Sequence, residues 1–338
     1  MDMLSWLASI KASPRRGALP ILSYPAIQMM GISVNELVSN SDNQATAMQL
    51  IAERTDSLAS VSLMDLSVEA ECFGSNIRFS DDEVPTVTGS IISSSQDADR
   101  LAVPEIGAGR TGIYIDAVKK AAGLIKDRPV FAGVIGPFSL AGRLLDVSKA
   151  MIYCYEQPDT IHLLLNKVTA FSIAYCRAYK KAGASGVIMA EPLAGLMSRK
   201  LADPFSSAYI KKIVAAVQDR EFIVIYHNCG NSTVKIIDSI LSTGASLYSF
   251  GNAVQMSEVM QHIPSHTIAM GNIDPAGQFS NGTPESVRKS TLKVLDECGK
   301  YPNYVVSSGC DIPPLSKWDN IDAFFEAVRE FDCNAQAI

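Results

Sequence analysis

Residues 221–231 read EFIVIYHNCGN, and this stretch decides the fold. Phe222 to Tyr226 are apolar without interruption, as in a strand buried on both faces of a parallel sheet. The run then stops at polar residues, His227, Asn228 and Cys229. Working outward, seven more short apolar runs of the same kind lie at 19–24, 60–65, 129–135, 186–191, 246–250, 267–270 and 304–307. Segments of helical period separate them. In 158–182 the residues Ile161, Leu165, Val168, Phe171, Ile173 and Tyr175 fall near one stripe, and Gly183 ends the segment. Residues 283–295 open on Thr-Pro-Glu, a cap followed by proline at the first helical position. Residues 320–331 form a last amphipathic segment. Eight such alternations predict an α/β chain folded as a (β/α)8 TIM barrel, one domain over 1–338. No Gly-x-Gly-x-x-Gly follows the first run, which argues against a dinucleotide-binding sheet.

One region departs from the rhythm. Residues 73–92, FGSNIRFSDDEVPTVTGSII, alternate as a hairpin does, so 73–127 reads as an insertion after the second strand, a lid or wall over the mouth.

Composition narrows the functional classes. The chain has 338 residues, 47% of them hydrophobic, enough for a large core. Its formal charge is −6, with aromatics at 7%, so neither a basic face nor a stacking platform for nucleic acid is expected. No apolar run approaches the length of a membrane span. Seven cysteines, an odd number, and a start (MDMLSWLASIKASPRRG) without a basic leader point to free thiols in a reducing cytoplasm.

Active sites of such barrels sit at the C-terminal strand ends. Asp65, Gly136, Glu191, His227, Cys229, Asn252, Asn272 and Cys310 all fall there. Strands five and eight feed the same mouth, so His227, Cys229 and Cys310 can meet. Two thiols and an imidazole, with no second short-spaced pair, are the donor set of a zinc ion with one open position. Cys72, Cys154, Cys176, Cys298 and Cys333 read as core residues, and His162, His262 and His266 as surface or cap residues. Glu191 is expected to face the pocket; Asp65 either faces it or caps the following helix. Zinc lowers the pKa of what it binds: water would make the site hydrolytic, a thiol would make it alkylating. Two cysteinates keep zinc electron-rich, which favours a bound thiolate.

Five segments carry a resemblance: MDLSVEAECFG (64–74), GPFSLAG (136–142), YHNCGN (226–231), MGNIDP (270–275) and SSGCDIPP (307–314). With them the chain resembles the uroporphyrinogen decarboxylase superfamily, in its branch of zinc-dependent methylcobamide:thiol methyltransferases. The resemblance implies zinc on His227, Cys229 and Cys310. It implies methyl transfer from a methyl-corrinoid, carried on a partner corrinoid protein, to a small thiol such as coenzyme M. The mouth would accept the flat macrocycle past small loop residues such as Gly136, Pro137, Gly251 and Gly271, with Asp65, Gly136, Asn252 and Asn272 expected to bind substrate. Decarboxylases of the superfamily place arginines just past the first strand; here residues 23–37 read SYPAIQMMGISVNEL, with no basic residue. Plain decarboxylation, or methylation of the corrinoid from a small donor, are the alternatives. Relatives in the methyltransferase branch often carry an acid after the sixth strand. This chain has Gly251-Asn252 there, which leaves Glu191 as the candidate displaceable fourth ligand.

Overall fold

The computed structural model describes residues 1–335. Its main sheet is a curled parallel ribbon of seven strands: β1 (Ser60–Val61), β4 (Val130–Ile135), β5 (Gly186–Ala190), β6 (Ile223–Asn228), β7 (Leu247–Phe250), β8 (Ile268–Ile273) and β9 (Tyr304–Ser308). Two short strands, β2 (Asn76–Arg78) and β3 (Thr86–Thr88), pair antiparallel outside it. The eighth stave is the segment around Ala18, which bridges Ser57 on one side and Val306 on the other, both in parallel sense. The ring therefore closes, and the predicted barrel class holds.

The expected first strand at 19–24 does not form a ladder. Pro20 has no N–H to donate, so backbone pairing stops at once. Side-chain hydroxyls take over: Ile21 N–H donates to Ser308 Oγ at 2.9 Å, and Ser307 Oγ donates to Leu19 O at 2.7 Å.

Two apolar layers follow from strand alternation. Leu19, Ile21, Val61, Phe131, Ile188, Ile223, Ile225, Leu247, Ile268, Met270 and Val305 fill the barrel. Their neighbours of opposite parity, such as Val187, Val224, Tyr226, Tyr248 and Val306, pack under the helices. The helix Met3–Ala12 plugs the lower end: Met3 N–H donates to Arg220 O at 2.8 Å, and Trp6 lies 5.6 Å from Phe131, ring centre to ring centre.

The long helix forms over Pro158–Ala182 with Gly183 as its left-handed terminator (φ 98°). Thr283 caps Pro284–Cys298, with proline in the first turn. The last helix is Trp318–Ala335. Within 73–127 the hairpin is present as β2 and β3, but the span ends in a barrel helix, Thr111–Leu124, that returns the chain to β4. The inserted part is therefore shorter than the alternation pattern suggested. Among the described residues no helix is long and apolar enough to cross a membrane.

Candidate metal centre at the barrel mouth

Strand parity aims the upper side chains. Ile223 and Ile225 point into the barrel, so His227, the next residue of that parity, does too. Leu247 likewise carries Ser249 inward, and the β6–β7 register sets His227 opposite Ser249. His227 Nδ1 lies 2.9 Å from Ser249 Oγ. Its Nε2 is buried without a hydrogen-bond partner.

That unpartnered nitrogen faces two sulfurs. One donor atom each from His227, Cys229 and Cys310 lie within 4.8 Å of one another. Cys229 follows β6, and Cys310 follows β9 after Gly309. The loop after β7 lets them approach: a Cβ on Gly251 would fall 2.4 Å from Cys229 Cβ and 3.0 Å from Gly309 O. Only glycine fits between these two strand ends. The thiols are coupled. A hydrogen bond from Cys310 lowers Cys229, while sharing that proton and burial push Cys310 up to about 12. Three soft or borderline donors, one of them an imidazole nitrogen buried without a hydrogen-bond partner, fit zinc. Cys72, Cys154, Cys176 and Cys298 are free and buried, and burial raises Cys154 and Cys176 to about 12, as expected of inert core thiols. Cys333 lies outside the described side chains. His262 and His266 are exposed, while His162 is partly buried and lies 2.8 Å from the Tyr209 hydroxyl; all three stand outside the cluster.

Glu191 is elsewhere. Ala190 points into the barrel, so the next residue points out, toward the helix Pro137–Leu145. There its carboxylate accepts Phe138 N–H at 3.0 Å and Ser139 N–H at 2.6 Å, and also the Ser139 hydroxyl. It satisfies the open N–H groups of that helix start. Burial pushes it up to about 7 against those donors. Gly136 has an internal reason to be small, since a Cβ would sit 2.6 Å from Glu191 Oε2.

Asp65 does more than cap a helix. It accepts Ser67 N–H at 3.0 Å, the Tyr114 hydroxyl at 2.8 Å and Arg110 Nη1 at 2.5 Å. Its side chain is fully buried, and Arg110 also pairs with Glu71 at 2.5 Å. Phe79, the first residue of the connection between β2 and β3, covers that guanidinium at 4.9 Å. Asn272 points inward but spends its amide on the β7 loop, donating to Gly251 O at 2.9 Å and Val254 O at 2.7 Å. Asn252 is exposed at the rim, its backbone against Gly309.

Sequence reading passed over Ser249 and Arg110. Ser249 carries a signal in retrospect, because it sits two residues after the inward Leu247. Arg110 lies in the irregular insertion, where no period marks it.

The chain is similar to known proteins along most of its length. The uroporphyrinogen decarboxylase (URO-D) family profile matches residues 14–331. The methylcobamide:CoM methyltransferase MtbA of Methanosarcina mazei is 30% identical over 274 residues, 79% of this chain and 78% of that protein. The uroporphyrinogen decarboxylase of Coxiella burnetii is 26% identical over 286 residues, 81% of this chain and 77% of that one. A solved structure described as a methyltransferase from Methanosarcina mazei superposes with TM-score 0.86 at 23% identity, covering 96% of this chain and 97% of the other, which establishes the shared fold. The chain thus belongs to the uroporphyrinogen decarboxylase (URO-D) family, and within it the chain is a methyltransferase.

Proposed function

We propose that this methyltransferase is zinc-dependent and moves a methyl group from a methyl-corrinoid to a small thiol. The observation that carries the reading is the convergence of His227 Nε2 with the sulfurs of Cys229 and Cys310 at one mouth. Zinc bound there would act as a Lewis acid that holds the acceptor sulfur as its thiolate near neutral pH. Cys229 and Cys310 supply two negative charges, which keep the site's net charge low and the acceptor sulfur nucleophilic. In the transfer a sulfur–carbon bond forms, the cobalt–carbon bond breaks with its electron pair left on cobalt, and the thiol proton leaves.

The remaining residues have positioning duties. Ile225, Ile188 and Met270 pack the barrel interior below the centre and give it an apolar floor. Arg110 and Asp65 hold the wall beneath the hairpin, and Asn272 ties down the β7 loop beside Cys229. Glu191 fixes the start of the helix after β4, leaving the open metal position to the acceptor. MtbA relatives carry CoM and a methylcobamide in their name, so coenzyme M is the first acceptor to try and methylcobalamin the first donor.

The test is a zinc determination paired with methylcobalamin–thiol turnover. About one zinc per chain and thioether formation are expected, both lost in Cys229→Ser. Full turnover by Cys229→Ser, or turnover of uroporphyrinogen without metal, would refute the reading.

A further inference from the structure

We propose that Ser249 is the positioning residue of the metal centre, selecting which nitrogen of His227 is offered to the ion. The inference rests on the zinc reading above. A neutral imidazole carries one N–H and one lone pair, so the partner of one nitrogen decides what the other can do. The β6–β7 register places Ser249 beside His227, both pointing inward and both buried. Ser249 Oγ is the hydrogen-bond partner of Nδ1, at 2.9 Å, while Nε2 has none and lies with the two sulfurs. With Nδ1–H donating to Oγ, the Nε2 lone pair is left for the metal and the ring plane is held. In the opposite arrangement, with the hydroxyl donating to Nδ1, Nε2 would carry the hydrogen and could not ligate.

The zinc-site motif does not contain this serine, because it sits on the next strand. Outer-shell partners of metal-bound histidines commonly account for about 10–100-fold in metal affinity. The experiment is competition for zinc against a chromophoric chelator, using Ser249→Ala and the equal-volume pair Ser249→Thr and Ser249→Val. The d–d spectrum of cobalt(II)-loaded protein is recorded alongside. Ser249→Ala and Ser249→Val should bind zinc about 10–100-fold more weakly and shift the cobalt bands. Ser249→Thr, which keeps the hydroxyl, should stay near wild type. Equal affinities for the Thr and Val proteins, or wild-type affinity in Ser249→Ala, would overturn the assignment. Wild-type protein that takes up no zinc would instead sink the functional reading itself.

Discussion

Gly251→Ala offers the sharpest probe of how the barrel assembles its centre. The new methyl would lie 2.4 Å from Cys229 Cβ and 2.5 Å from Cys229 Cα. Carbon atoms at rest sit about 3.5–4.0 Å apart, so something must move by about 1 Å. The contact is with backbone, and Gly309 O, 3.0 Å away, blocks the other side. Rotamer change cannot relieve it, so the ends of β6 and β9 must separate. Zinc–sulfur bonds tolerate only about ±0.2 Å around 2.3 Å. A displacement several times that tolerance should remove one sulfur from the set. Structural zinc sites bind with about 10–16 kcal/mol over four ligands, so one ligand carries about 3 kcal/mol, or roughly a hundredfold in affinity. Overpacking should lower the stability of the metal-free fold by about 1–3 kcal/mol. Chelator competition reads the first effect, and denaturant unfolding of metal-free protein the second. Wild-type zinc affinity in a folded Gly251→Ala protein would refute the claim that this glycine sets the Cys229–Cys310 approach.

Other expectations can be tested with the same assays. Arg110→Ala should destabilise the fold by about 3–5 kcal/mol in urea, because it leaves the buried Asp65 carboxylate without its counter-charge. Glu191→Gln should keep its zinc while unfolding earlier by about 1–3 kcal/mol, since an amide cannot accept at both oxygens from the helix start; zinc loss would place Glu191 at the metal after all. Burial raises Glu69 from 4.5 to about 7, against the opposing pull of the Ile135 N–H, its own backbone N–H and the Arg143 charge. Its folded pKa exceeds its unfolded one, so its stabilising contribution is complete below about pH 4.5 and is lost as pH rises through about 7. At 1.36 kcal/mol per pH unit that interval is worth about 3 kcal/mol. Wild-type stability should therefore fall relative to Glu69→Gln between pH 5 and pH 8, and parallel curves would contradict the assignment.

Some of this molecule is legible in one dimension and some is not. The runs at 129–135 and 222–227 mark β4 and β6 to within a residue, because a strand buried on both faces must be apolar throughout. The helix Pro158–Ala182 is bounded by proline and glycine, whose backbone preferences are local. The first stave misled for an equally local reason, since Pro20 makes an apolar run unable to pair as a strand. Glu191 misled differently. Its place at a strand end is visible in sequence, but a shift of one residue reverses the face, and strand limits read from composition are not that sharp.

By itself, the sequence determined the barrel class and the residues proposed as metal donors. Apolar run length and the chemistry of sulfur and imidazole belong to residues one at a time. Only the tertiary structure decided that β6 and β9 end within reach of each other and that a glycine between them permits contact. It also decided that Ser249 faces His227 while Glu191 turns away to a helix. Register, parity and ring closure are relations between distant segments, set by how strands pair and pack, and no single stretch of chain contains them.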